Sequence, residues 1–156
     1  TDMGTMFFGC SSLTSLDVTG FDTSSVATVV QMFRNCSSLT SLDVSGFDTS
    51  SVTNMVQMFF GCSSLTSDPG ISSFDVTALT NAADMCSGAN AMLSESEYNT
   101  ILVNWGAQAV NDSVSVHFGD AVYSGAGATA RAALIATGGV VPVAVADAGK
   151  PHILKR

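Results

Sequence analysis

The residues with the clearest capacity for chemistry are cysteines that recur at a fixed interval. Cys10, Cys36 and Cys62 are 26 residues apart, and Cys86 lies outside that interval. A structural metal site needs ligands that converge on one point, whereas a repeat sets equivalent side chains in a row. The spacing therefore favours a buried column of thiols that pack between repeat units. A disulfide between neighbouring units is the alternative, because strands about 5 Å apart bring cysteines within bonding reach.

Catalytic candidates are few. Nucleophilic catalysis requires a base held beside the nucleophile, and only His117 and His152 offer an imidazole. His117 alternates with apolar neighbours, which predicts an exposed position on a strand, and His152 belongs to a basic tail at residues 147–156. The chain contains no nucleophile-elbow, zinc-protease or phosphate-loop motif. We expect no enzyme activity, no cofactor and no bound metal.

Aspartates also recur at the repeat interval, in two columns. Asp17 and Asp43 occupy the same strand position, and we expect them to be solvated and hydrogen-bonded to nearby hydroxyls. An acidic stripe that meets a basic partner or a calcium ion is the alternative. A second column is expected to cap helical turns: Asp22, Asp48 and Asp75. The strand face around the first column is the candidate contact surface: Ser15, Asp17, Thr19, Ser41, Asp43 and Ser45.

A third column combines aromatic rings with a cation. The third position of the repeat holds Phe8, Arg34 and Phe60 in successive units. Because phenylalanine alternates with arginine there, the position is not in the core. An arginine between two rings can stack on both, and we expect its guanidinium within about 6 Å of at least one ring. Two interpretations stay open, a side-chain cover along one edge and a second contact patch.

These residues are positioned by an internal repeat. Residues 6–31 and 32–57 are identical at 20 of 26 positions, and a third copy begins at Met58 and degrades after Ser67. A fixed period of this length is typical of a solenoid, in which each unit buries its apolar face against its neighbours. Alternation predicts a short strand in each unit and an inward column of Leu16, Leu42 and Leu65. Apolar spacing also predicts a helical turn from Val52 to Phe59.

The pattern changes at residue 94. Ser94 and Glu97 form a capping-box sequence, which predicts a helix of about 14 residues with Tyr98, Ile101, Leu102 and Trp105 on one face. A strand at 113–118, an alanine-rich helix at 125–137 and a strand at 140–145 are predicted to follow. We therefore divide the chain into repeats at 1–93, a C-terminal αβ capping segment at 94–146 and the basic tail at 147–156.

Charge and hydropathy exclude several partners. The formal net charge is −8 and only 12% of residues are charged. Nucleic acid requires a basic surface, and anionic membranes attract basic segments rather than acidic ones. The longest apolar stretch, residues 132–146, is interrupted by glycine and proline and is too short to span a bilayer. We expect neither nucleic-acid binding nor membrane insertion.

The repeat resembles a known family. The segment MFRNCSSLTSLDVSGFDTSSVTNM at residues 32–55 is similar to the BspA-type leucine-rich repeat, a domain of unknown function in mycoplasma surface proteins. The segment EYNTILVNW at residues 97–105 resembles the start of the C-terminal cap of environmental bacterial members. The resemblance implies a secreted or surface-displayed protein used for adhesion and protein binding, without catalytic residues.

The sequence thus predicts an α/β solenoid, a leucine-rich-repeat-like stack of short strands and helical turns with a C-terminal αβ cap. We expect an extracellular or cell-surface recognition module that binds protein or glycan on a host or neighbouring cell. A structural subunit of a virion, tail fibre, filament or sheath is the alternative, and an ice- or mineral-binding face is another. Because Thr1–Met6 matches only the end of a unit, we expect upstream repeats or another subunit against residues 1–20.

Overall fold

The computed structural model describes residues 1–112 and 114–136 and the backbone of Val141–Val143. The predicted basic tail and the remainder of the predicted last strand lie outside the described residues. The elements in chain order are β1 (Ser15–Leu16), β2 (Ser41–Leu42), a 3-10 turn (Ile71–Ser73), α1 (Glu95–Gly106), β3 (Ser115–His117), α2 (Gly125–Ala136) and β4 (Val141–Val143).

Successive units lie side by side and in parallel. We number them as the first (residues 1–26), second (27–52), third (53–79) and fourth (80–93) unit. Strand β1 pairs with β2 in parallel at the repeat register, Ser15 against Ser41. A second set of parallel bridges links one residue from each unit: Asp2, Thr28, Asn54 and Asn81. The wider description as a leucine-rich-repeat-like α/β solenoid stays a prediction.

The predicted helical turn from Val52 to Phe59 is wrong. The segment forms a bridge at Asn54 and then a tight turn. The N–H groups of Met55, Gln57 and Phe59 donate to carbonyls of the fourth unit at 2.8–3.0 Å, so they are not available for intrahelical bonds. The backbone of Gln57 is also left-handed, with φ 56°, which ends a right-handed turn.

Burial of the same segment agrees with its apolar pattern. Val52, Met55, Met58 and Phe59 are all at most 1% exposed. The chain therefore buries residues at a helix-like spacing without forming a helix, because the turn that follows the bridge at Asn54 returns those side chains to one interior.

Aromatic rings form the central column of that interior. The rings of Phe7 and Phe33 stack with centroids 5.5 Å apart, and those of Phe33 and Phe59 with centroids 5.6 Å apart. Such offset stacking adds about 0.5–1.5 kcal/mol per pair beyond the area that it buries. In the fourth unit the equivalent position is Cys86. Its carbonyl accepts from the Ala89 N–H, just as the Phe59 carbonyl accepts from the Cys62 N–H.

The predicted inward column of Leu16, Leu42 and Leu65 is wrong in its third member. Leu16 and Leu42 are register partners. Leu65 instead donates its N–H to Cys62, as Leu39 does to Cys36. Leu65 is therefore equivalent to Leu39 and not to Leu42. The third unit loses its leucine strand at Asp68, so it has no leucine that could pair with Leu42.

The third unit closes over the second through a proline and a glycine. The Pro69 carbonyl accepts from the Val44 N–H at 2.7 Å. The lack of an N–H group on proline does not affect this bond, because proline is the acceptor. Gly70 has φ 106°, and a Cβ there would lie 2.5 Å from the Ser45 nitrogen. The Asp68 carboxylate accepts from the N–H groups of Gly70 and Ile71 at 2.9 and 2.7 Å, which fixes the 3-10 turn.

Helix α1 packs against the last repeat units. The predicted capping box is confirmed: Ser94 accepts from the Glu97 N–H, and Glu97 accepts from the Ser94 N–H. The helix ends at Gly106 after 12 residues, and its predicted apolar face is buried: Tyr98, Ile101, Leu102 and Trp105. Trp105 donates its indole N–H to the Ile71 carbonyl at 3.1 Å. Strand β3 continues the stack, since Cys86 donates to the His117 carbonyl at 2.9 Å.

Candidate recognition surface

The predicted strand face lies on the outside of β1 and β2. Its six polar side chains are all exposed: Ser15, Asp17, Thr19, Ser41, Asp43 and Ser45. The alternating residues point inward, where Val18 and Val44 are at most 2% exposed. Because β1 and β2 pair at the repeat register, each polar residue of this face in the first unit lies beside the equivalent residue of the second unit.

The two aspartates of this face are held by their own units. Asp17 Oδ1 accepts from the Thr19 N–H at 3.0 Å and from the Thr19 hydroxyl at 2.7 Å. Asp43 Oδ1 accepts from the Ser45 N–H at 2.9 Å. These bonds to Thr19 lower the pKa of Asp17, and hydrogen bonding by the Ser45 side chain and backbone lowers the pKa of Asp43. Both carboxylates are therefore ionised and orientated at neutral pH.

The second aspartate column caps turns rather than helices. Asp22 accepts from the Ser24 hydroxyl, Asp48 from the Ser50 hydroxyl and Asp75 from the Thr77 hydroxyl, each at 2.6 Å. The predicted helix caps are wrong because no helix follows these residues; the side chains close tight turns of their own instead. The Ser50 hydroxyl and N–H lower the pKa of Asp48, and the charge of Asp22 opposes them.

Among the residues described, no group of three or more His, Cys, Asp or Glu side chains is arranged to hold a metal ion. The carboxylates of each column are engaged one by one with hydroxyls of the same unit, which is the arrangement expected of solvated side chains.

The predicted cation–π contact of Arg34 is confirmed on both sides. The guanidinium carbon lies 5.7 Å from the Phe8 ring centroid and 4.8 Å from the Phe60 ring centroid, within the range of cation–π attraction. Phe8 is 48% exposed, whereas Arg34 and Phe60 are half-buried. The column is thus an aromatic and cationic ridge, open at Phe8.

Two glutamines support this ridge and were not singled out from the sequence. Gln57 Oε1 accepts from Arg34 Nη1 at 2.5 Å and from Gln31 Nε2 at 2.8 Å. Arg34 Nε is buried and makes no hydrogen bond within the described structure. The signal was available, because Gln31 and Gln57 recur at the same 26-residue interval and precede the ridge by three residues.

The cysteines form a buried column rather than disulfides. All four are free, and Cys36 and Cys62 are fully buried. The Cys36 thiol donates to the Phe7 carbonyl at 3.1 Å, and the Cys62 thiol to the Phe33 carbonyl at 3.0 Å. Burial raises the pKa of Cys62 to about 12, which leaves a protonated and unreactive thiol.

His117 is half-buried rather than exposed as predicted. Its Nδ1 accepts from the Gly119 N–H at 3.1 Å, so the imidazole closes the turn after β3. No described residue pairs it with a nucleophile. His152 lies outside the described residues.

The comparisons with known proteins define a family. A family profile described as "Mycoplasma protein of unknown function, DUF285" matches residues 1–123. The chain therefore belongs to the DUF285 family, and the match includes the repeat units, α1 and β3. The comparisons with curated proteins and with solved structures find no match. In the described part of the chain, no helix is long and apolar enough to cross a bilayer.

Proposed function

We propose that this protein is a non-catalytic recognition or adhesion module that binds protein or glycan through its strand face. Within the DUF285 family, we assign its repeats to the BspA type of leucine-rich repeat and its site of action to the cell surface or the extracellular space. The observation that carries the proposal is the exposure of all six polar residues of the strand face at the repeat register of β1 and β2.

The chemistry of the face suits a ligand with cations or hydroxyl groups. The first and second units each present one ionised carboxylate and two hydroxyls, and the equivalent groups of the two adjacent strands lie about 4.8 Å apart. Asp17 and Asp43 use Oδ1 for the bonds within their units, so the acceptor capacity of Oδ2 serves a ligand. Several weak contacts on one ligand combine into useful affinity when the ligand repeats as well.

A binding assay with matched charge variants tests the proposal. The protein is applied to an immobilised panel of host-surface glycans and extracellular matrix proteins, and Asp17→Asn/Asp43→Asn is compared with Asp112→Asn/Asp120→Asn. The first variant removes the charges of the face, and the second removes two exposed charges elsewhere. We expect the first to weaken binding at least about tenfold, since two charge-assisted hydrogen bonds are lost. Equal binding by both variants contradicts the assignment of this face.

The ridge of Phe8, Arg34 and Phe60 is proposed as a secondary contact. An exposed ring beside a guanidinium offers an apolar surface and a cation together, and Phe8 is open enough to meet a partner. The variant Phe8→Ser/Phe60→Ser is expected to weaken binding to the same panel. Indifference of every bound partner to this variant removes the ridge from the contact surface.

A structural assembly subunit, such as a virion, tail-fibre, filament or sheath component, is the second candidate. The observation that favours it is the apolar end of the first unit, where Met6 and Phe8 are each 48% exposed. Size-exclusion chromatography and negative-stain imaging separate the two candidates. A monomer at micromolar concentration supports recognition, and an ordered polymer supports assembly.

A further inference from the structure

Arg34 is a cation without a negatively charged partner. It is the only lysine or arginine in the repeats at residues 1–93, which also carry eight aspartates. Its Nη1 donates to Gln57 Oε1, and no carboxylate in the described part of the chain pairs with it. The Phe8 and Phe60 rings hold the guanidinium from either side, with centroids 5.7 and 4.8 Å from its carbon. The cation is therefore fixed in place but not neutralised.

The surface around Arg34 is a flank of the stack and not one of its ends. The Gly9 N–H donates to the Arg34 carbonyl at 2.8 Å, and the Asn35 N–H donates to the Phe60 carbonyl at 2.7 Å, so a unit lies against either side of this turn. Arg34 is nevertheless only half-buried. Its Nε is buried and unpaired, whereas Nη2 has no protein partner among the described residues and is not buried. One side of the guanidinium is thus open to solvent.

Uncharged polar groups without partners lie beside this open side. Gln57 uses Oε1 for its bonds to Arg34 and Gln31, and its Nε2 makes no hydrogen bond to any described residue. Asn35 is exposed, and its carboxamide is likewise unpaired there. Its Oδ1 lies against the third unit, 2.5 Å from the position that a Cβ on Gly61 would take. The cation is therefore bordered by two side-chain amides that can serve a ligand.

The ridge ends in a step after Phe60. In the fourth unit the equivalent residue is Ser87, whose carbonyl accepts from the Gly61 N–H at 2.9 Å. A hydroxymethyl group is much smaller than a phenyl ring, so there is room beside the face of Phe60 that is turned away from Arg34. Asp84 is exposed three residues before Ser87. The step thus combines an aromatic face, a hydroxyl and a carboxylate, with the cation one unit away.

We propose that this part of the ridge, formed by Arg34, Asn35, Gln57, Phe60 and Ser87, binds a uronic-acid residue of an acidic glycan. The carboxylate of the sugar accepts from Nη1 and Nη2, since Nη1 carries a second N–H and two parallel bonds to one carboxylate are strong. The apolar face of the sugar ring packs on Phe60, and its hydroxyls meet the two amides. The proposal rests on the recognition function proposed above, whose glycan class it narrows.

An acidic peptide fits the same groups less well. A second carboxylate of such a peptide would approach the charge of Asp84 and be repelled, whereas a sugar hydroxyl donates a hydrogen bond to that carboxylate. The unpaired amides of Gln57 and Asn35 also match hydroxyls, because each hydroxyl both donates and accepts. The mixture of one cation, two amides and one carboxylate therefore favours a ligand with one negative charge and several hydroxyls.

An NMR titration of the full chain at constant ionic strength tests the site. The probes are sodium glucuronate, glucose and sodium N-acetylglutamate, and the reporters are the buried Arg34 Nε–H and the backbone amides of Asn35 and Ser87. We expect glucuronate to shift these signals with a Kd at least about tenfold below that of either other probe. No saturable shift with glucuronate overturns the proposal. A Kd for glucose equal to that for glucuronate overturns the carboxylate contact, and an equal Kd for N-acetylglutamate overturns the sugar class.

Two variants assign the binding to the ridge. Arg34→Phe continues the row of phenylalanines, so it removes the cation without opening a gap, and it should weaken glucuronate binding at least about tenfold. Unchanged binding by this variant overturns the proposal. The strand-face variant Asp17→Asn/Asp43→Asn is the control and should bind glucuronate as the wild type does. Failure at the ridge therefore leaves the strand-face proposal standing, and failure of the strand-face assay leaves this site standing.

Discussion

Replacement of Arg34 isolates the energetic role of the aromatic ridge. Arg34→Ala removes the guanidinium from between the Phe8 and Phe60 rings and leaves Gln57 with the Gln31 amide as its remaining side-chain donor. The strand face is untouched, because Arg34 lies in the turn that precedes Cys36. The stability change therefore reports on the ridge alone.

The expected magnitude follows from opposing contributions. Each cation–π contact at a partly exposed site contributes about 0.5–1 kcal/mol, and the hydrogen bond to Gln57 contributes about 1 kcal/mol. The buried Nε without a partner costs about 1 kcal/mol, at the low end for an unsatisfied donor. The sum predicts that Arg34→Ala lowers the free energy of unfolding by about 1–2 kcal/mol.

Urea unfolding of four proteins measures this change and assigns it to the rings. The proteins are the wild type, Arg34→Ala, Phe60→Leu and the double variant, and we expect a coupling energy of about 0.5–1 kcal/mol between the two positions. A further variant, Arg34→Phe, continues the row of phenylalanines and removes the unpaired Nε, so it should be at least as stable as the wild type. A coupling energy below about 0.3 kcal/mol, the scatter between independent sites, refutes the cation–π assignment.

Three further predictions concern the backbone, the helix cap and the aspartates. Gly70→Ala should lower the free energy of unfolding by more than about 1 kcal/mol, since its Cβ would meet the Ser45 backbone, whereas Gly46→Ala has open space and should be neutral in the same urea assay. Ser94→Ala removes the N-cap of α1 and should cost about 1 kcal/mol in urea unfolding. The pKa of Asp17 and of Asp43 is lower in the folded state than the ordinary value of 3.8. Stabilisation by these carboxylates should therefore be complete above that value and be lost as the pH falls through the lower folded pKa. Thermal unfolding between pH 2 and 7 should show a smaller acid loss in Asp17→Asn/Asp43→Asn, and an equal loss contradicts the pKa assignment.

The repeat interval carries most of the information that the sequence supplies about side-chain contacts. Positions 26 residues apart predicted the contact of Arg34 with its two rings, and the structure confirms it. The thiol column at Cys36 and Cys62 followed from the same interval. In both cases the inference required only that equivalent residues of successive units lie side by side, and no knowledge of the local backbone.

The local backbone was harder to predict because its hydrogen bonds run between units. An apolar spacing of three and four residues is the usual signal of a helix, yet the N–H groups of Met55, Gln57 and Phe59 donate to the next unit. The spacing of apolar residues shows which side chains are buried, but it does not show which carbonyl accepts from each N–H group. The capping box at Ser94 could be predicted from the sequence because its hydrogen bonds are local: both of them join Ser94 and Glu97, three residues apart.

The electrostatics of the two aspartate columns connect the fold to the proposed function. Like charges on adjacent strands repel each other. In the turn column the charge of Asp22 opposes the hydrogen bonds from Ser50, but those bonds outweigh it and the pKa of Asp48 lies below its ordinary value. Local hydroxyls hold each carboxylate ionised but supply no positive charge. Each of the first two units therefore adds one negative charge to the strand face, and the pairing of β1 with β2 keeps the two carboxylates in register. Because Thr19 and Ser45 hold Asp17 and Asp43 ionised and in place without a cation, a ligand that carries cations at a similar repeat would meet one carboxylate on each of the first two units. This arrangement favours an extended basic partner for the proposed recognition role.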